Sequence, residues 1–94
     1  MNQFTSPTVK TSMTVNARIH ARVAVMIAKE ADKYESKITL KCGERAADAK
    51  SFLNLLMLGV TAGSTVEIIV QGSDEDEALS GMSEVLARLQ DVQI

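Results

Sequence analysis

Aromatic side chains are nearly missing from this chain: Phe4, Tyr34 and Phe52 are all of them among 94 residues. Stacking on nucleic-acid bases therefore has almost nothing to work with. A net charge of −2 also lacks the clustered cations that binding a phosphate backbone requires, so no nucleic-acid partner is expected. No apolar run approaches the roughly 18 residues of a membrane span, and no membrane insertion is expected. The N-terminus lacks the basic-then-apolar order of a secretory signal. One cysteine, Cys42, cannot form an internal disulfide, which fits a reducing cytoplasm. It reads as a small buried hydrophobe on a strand. One cysteine with one histidine is too few ligands for a metal site, and no cofactor is expected. The single proline, Pro7, precedes the first regular element, where a missing N–H does little harm.

What is there is an aliphatic chain with an ordinary globular balance, 46% hydrophobic and 23% charged. Its 94 residues make one domain, 1–94, with a core but little room for a deep cleft. From Val9 to Val15 the apolar residues Val9, Met13 and Val15 alternate with Lys10, Ser12 and Thr14, which predicts a half-buried strand. From Ala21 to Tyr34 the period lengthens: Ala24, Ile27, Ala28 and Ala31 share one face of a helix. Ile38, Leu40 and Cys42 alternate again, and Gly43-Glu44 offers a turn into a short strand at Arg45 to Asp48. Ser51 can cap a short helix running through Leu58, with Gly59 as its left-handed terminator.

Val66, Ile68 and Val70 mark a fourth strand. Ser73 with Asp76 resembles a capping box for a last helix striped by Ala78, Met82, Val85, Leu86 and Leu89. The order β-α-β-β-α-β-α, with short connections, predicts an α+β open-faced sandwich: a four-stranded antiparallel sheet with three helices on one face.

His20 is the only histidine, and it stands where strand periodicity gives way to helix periodicity. The first turn of a helix presents unpaired N–H groups and roughly half a positive charge. A phosphoryl group carried on an imidazole there would meet donors already aimed at it. Arg22, two residues on, can add a charge-assisted bond to the same oxygens. By itself the spacing fits a capping or surface histidine as well as a nucleophile.

The stretch NARIHARVA, Asn16 to Ala24, resembles the active-site motif of the histidine-containing phosphocarrier (HPr) family of the phosphoenolpyruvate-dependent phosphotransferase system. The run KSFLNLLMLGVTAGSTVEI, Lys50 to Ile68, resembles the family's second signature, and GSDEDEAL, Gly72 to Leu79, its approach to the last helix. This resemblance implies that His20 is phosphorylated on Nδ1 by enzyme I and then phosphorylates IIA domains of sugar permeases, with Arg22 assisting the phosphoryl group. It implies that Ser51, in some lineages, is phosphorylated by a dedicated serine kinase. It also implies docking on the surface formed by the starts of the first two helices, where Ala21, Arg22 and Val25 join Phe52, Leu53, Leu56 and Met57 around His20. Independently, the second helix is apolar on nearly every side, so some of its residues form an exposed patch unless the third helix covers them.

Two positions depart from the family pattern: Val23 stands where proline is usual, and Arg18 where glycine is usual. Arg18 either strains a turn that prefers glycine or adds positive charge near the phosphoryl group. The leading expectation is a cytoplasmic, monomeric phosphoryl carrier that turns over no small substrate and is therefore not an enzyme. The alternative is a non-catalytic regulatory module of the same fold, controlled by phosphorylation of Ser51.

Overall fold

The computed structural model describes residues 8–89; Phe4 and Pro7 lie outside the described residues. The elements run β1 Thr8–Val15, α1 Ala21–Ala31, β2 Lys37–Cys42, β3 Arg45–Asp48, α2 Phe52–Met57, β4 Ser64–Gln71 and α3 Glu75–Leu89. They form one four-stranded sheet in the order β1-β4-β2-β3, with every neighbouring pair antiparallel. β1 and β2 therefore point the same way with β4 between them, and β3 and β4 do so with β2 between them. Strands in one direction cannot be joined by a hairpin and need a crossover. The helices α1 and α2 are those crossovers, giving two interleaved split β-α-β units. The open-faced α+β sandwich expected from the periodicity is the fold observed.

The core is aliphatic and lies between the sheet and the helices. Val66, Ile68 and Val70 of β4 and Ile38 and Leu40 of β2 face Val23, Ala24, Ile27 and Ala31 of α1, and Ala78, Met82 and Leu86 of α3, all 2% exposed or less. Each large side chain so buried contributes roughly 1.5–3 kcal/mol relative to exposure. β1, an edge strand, is covered only in part: Val15 is buried, while Val9 and Met13 are half-buried. Cys42 ends β2 as a half-buried free thiol packed on the core.

Two boundaries differ from the periodicity. α1 stops at Ala31 rather than Tyr34, because the chain tightens: Lys33 N–H donates to Glu30 O at 3.1 Å and Tyr34 N–H to Ala31 O at 3.2 Å. The Ser73–Asp76 capping box does not form. α3 begins at Glu75, and it is Glu75 Oε1 that reaches back to accept from Gly72 N–H at 3.4 Å. Asp74 is engaged elsewhere, as described below.

Candidate functional site

The loop between β1 and α1 is fixed from both sides. Ile19, apolar and 5% exposed, turns into the core, and its N–H donates to Val60 O at 3.2 Å. Gly63 N–H donates to Val15 O at 2.8 Å, so the α2–β4 loop clasps the β1–α1 loop at one end of the sheet. His20 N–H folds back onto Arg18 O at 3.1 Å, a tight turn centred on Ile19. His20 itself is the N-cap of α1, with extended backbone (φ −99°, ψ −174°), and its carbonyl accepts from Ala24 N–H at 2.8 Å. Its imidazole makes no capping bond and is half-buried, outside the aliphatic core. A cap residue whose side chain does no capping leaves that side chain free for other chemistry.

The surroundings are electropositive. The N–H groups of Ala21, Arg22 and Val23 have no acceptor among the described residues, as expected for a first turn, and that turn holds no acidic residue. Arg18 and Arg22 are both exposed, and neither joins an ion pair among the described residues; the ion pairs there are Lys10–Glu67 at 3.9 Å and Lys33–Glu30 at 3.0 Å. Val23, in the place usual for proline, is 2% exposed: its side chain anchors the first turn by burial, and its N–H, like a proline's missing one, has no partner to lose. Among the described residues, no group of three or more His, Cys, Asp or Glu side chains is placed to hold a metal ion.

The second helix stands against α1 and β3. Ser51 is its N-cap, with Oγ accepting from Asn54 N–H at 3.1 Å, and Gly59 at φ +77° follows its end. Phe52 is 41% exposed, Leu53 61% and Met57 71%, while Leu55 is fully buried, so the apolar patch is real and the third helix does not cover it. On α1, Val25 is 43% exposed and Ala21 lies in solvent. Leu56 differs from its expected neighbours: it is half-buried against the core. Met26, off the buried stripe of α1, is also 37% exposed.

The two helix starts are not neighbours. Lys50 Nζ donates to Tyr34 O at 2.7 Å, which puts the start of α2 beside the end of α1. Val60, just past the end of α2, is bonded to Ile19 beside the start of α1. The helices therefore run antiparallel, with the Met57 end of α2 toward His20 and Ser51 at the far end, about 9 Å of helix away.

The perturbed titrating groups lie at that far side too. The Ser36 hydroxyl, followed by Glu35 N–H, holds the Asp74 carboxyl below its ordinary value. Tyr34 O–H donates to Glu30 Oε2 at 2.7 Å, which lowers Glu30 and pushes the phenol up to about 12.

A family model described as the PTS HPr component phosphorylation site matches residues 8–88. The phosphocarrier protein HPr of Mycoplasma capricolum subsp. capricolum is 31% identical over 74 residues, 79% of this chain and 83% of that protein. Among solved structures, a histidine-containing phosphocarrier protein from Mycoplasma superposes with a TM-score of 0.82 at 28% identity, covering 92% of this chain and 100% of that one. The Bacillus subtilis catabolite repression protein Crh, in a domain-swapped dimer, superposes with a TM-score of 0.72 at 28% identity, covering 94% of this chain and 95% of that one.

Proposed function

This chain belongs to the HPr family of phosphocarrier proteins of the phosphotransferase system, and from that premise we propose that it relays a phosphoryl group through His20, from an enzyme I-type donor to IIA-type acceptors. The observation that carries the proposal is the free imidazole at the N-cap of α1, beside the unpaired N–H groups of Ala21, Arg22 and Val23. The lone pair of Nδ1 forms the new N–P bond as the donor's bond to phosphorus breaks, its electron pair leaving with the donor. At the acceptor the same displacement runs with His20 as the leaving group. Donors held in place before the reaction stabilise charge on the phosphoryl oxygens without reorganising, and Arg22 adds a charge-assisted bond. Neither role requires His20 to bind phosphoenolpyruvate, so the chain is a carrier and not an enzyme. It works as a single domain in the cytoplasm, as a monomer between transient partners; among the described residues no helix is long and apolar enough to cross a membrane.

Incubating the protein with phosphoenolpyruvate and a cognate enzyme I should give an acid-labile adduct on His20, abolished in His20→Ala. That variant loses no side-chain capping bond, so its unfolding midpoint should stay close to the wild type's. No adduct in the wild type, or an adduct that survives His20→Ala, overturns the relay.

One observation favours a second reading, a regulatory module controlled at Ser51: the catabolite repression protein matches 94% of this chain. Ser51 is half-buried at the start of α2, and a phosphoryl group there would add about −1.5 to −2 charges beside the apolar patch. Labelling by an ATP-dependent serine kinase confined to Ser51, with His20 inert to enzyme I, would select this reading over the relay.

A further inference from the structure

Arg18 sits two residues before His20 on the short turn that holds both. Three observations narrow what it does there. No residue other than glycine has a positive φ among the described residues, so Arg18 carries no left-handed strain and the turn does not need a glycine. Ile19 between them is buried and bonded to Val60, which leaves Arg18 and His20 as the two outward members of the turn, closed by the 3.1 Å bond from His20 N–H to Arg18 O. The guanidinium is exposed and has no carboxylate partner among the described residues. An unpaired, fixed-base cation next to a side chain that acquires a dianion is a binding group for that dianion, because the alternative is to leave both charges to solvent.

We propose that Arg18 is a second guanidinium for the phosphoryl group on His20, so that the group is held between a residue preceding the turn's apex and Arg22 following it. The inference rests on the reading of His20 as the phosphoryl-bearing side chain. Its consequence is thermodynamic: Arg18 stabilises the phosphorylated carrier itself, in addition to anything it does for docking.

Exchange between carriers isolates that consequence. Wild type and Arg18→Gln, distinguishable by mass, are mixed in equal amounts with limiting phosphoenolpyruvate and catalytic enzyme I until label redistributes fully between them. The phosphoryl group should partition toward the wild type by about three- to tenfold at low ionic strength, falling toward unity in about 1 M salt as the charges are screened. Arg18→Lys should recover most of the preference. A residue that only steers partners changes the rate of redistribution and leaves the final partition equal, so an equal partition overturns the inference while leaving the relay standing. A wild type that takes no label on His20 overturns the relay, and this inference with it. Matching unfolding midpoints for the three proteins exclude a structural cause for any preference seen.

Discussion

Ser36 is the buried polar side chain among the described residues, 1% exposed, and its partner lies 38 residues along the chain. Asp74, at the entrance of α3, accepts from the Ser36 hydroxyl, from Ser36 N–H at 2.9 Å and from Glu35 N–H at 2.9 Å, and so ties that helix to the α1–β2 loop. Gly72 is part of the same arrangement: at φ +155°, a Cβ there would meet Ser36 Oγ at 2.5 Å. None of this was legible in the sequence. A spacing of 38 residues has no period, and the local pattern Ser73-x-x-Asp76 pointed to a capping box that the structure replaces. The same limit applied to Arg18, whose backbone conformation no neighbouring residue dictates. Because the folded state holds the Asp74 carboxyl below its ordinary value of about 3.9, these bonds contribute fully above that value and are lost as pH falls through the lower folded-state one. Asp74→Asn should therefore lower the thermal midpoint at pH 7 and flatten its decline between about pH 5 and pH 2, since the variant has no carboxyl there to protonate. Thermal unfolding followed by circular dichroism across that range measures it; parallel acid limbs for the two proteins would show that the clasp contributes nothing.

At the level of elements the sequence was far more informative, because periods are local. Alternation located β1, β2 and β4, the Gly43-Glu44 turn located β3, and the terminator Gly59 took the positive φ expected of it, +77°. α3 is the instructive exception, since it forms through Gly81, a residue that costs about 1 kcal/mol relative to alanine in an exposed helix interior. The reason is a neighbour on another helix: a Cβ at Gly81 would run into the Tyr34 hydroxyl and lie 2.6 Å from Glu30 Oε2. The glycine lets α3 close over the Tyr34–Glu30 bond at the end of α1, a cross-element reason that no helical period records. Gly81→Ala should consequently destabilise rather than stabilise, by about 1 kcal/mol once overpacking outweighs helix propensity. Adding Tyr34→Phe, which removes the clashing oxygen, should recover part of that loss in chemical denaturation. A more stable Gly81→Ala would mean that the Tyr34 side chain moves aside without cost.

On the scale of the whole molecule, the topology separates what holds the fold from what is offered to partners. Both split β-α-β units bury their apolar residues between sheet and helices, and the clasp of Ile19 on Val60 brings the end of α2 to the His20 loop. The apolar side chains left outside, Leu53 at 61% and Met57 at 71% exposure, lie on the helix so positioned. A second helix apolar on nearly every side predicted such a surplus, though only the antiparallel course of α1 and α2 shows which end of it approaches the histidine. If the patch is the docking surface of the relay, its residues should affect encounter and not folding. Leu53→Gln and Met57→Gln should each leave stability within about 0.5 kcal/mol, as surface substitutions do. Each should also raise the KM for the carrier in phosphoryl transfer from enzyme I by about five- to tenfold, with kcat nearly unchanged, the signature of binding lost equally from ground and transition states. Initial rates at varied carrier concentration, beside denaturation curves for the same variants, separate the outcomes. Unchanged KM in both variants would move docking to the polar rim around Arg18 and Arg22, and a loss of stability would return these two side chains to the core from which their exposure sets them apart.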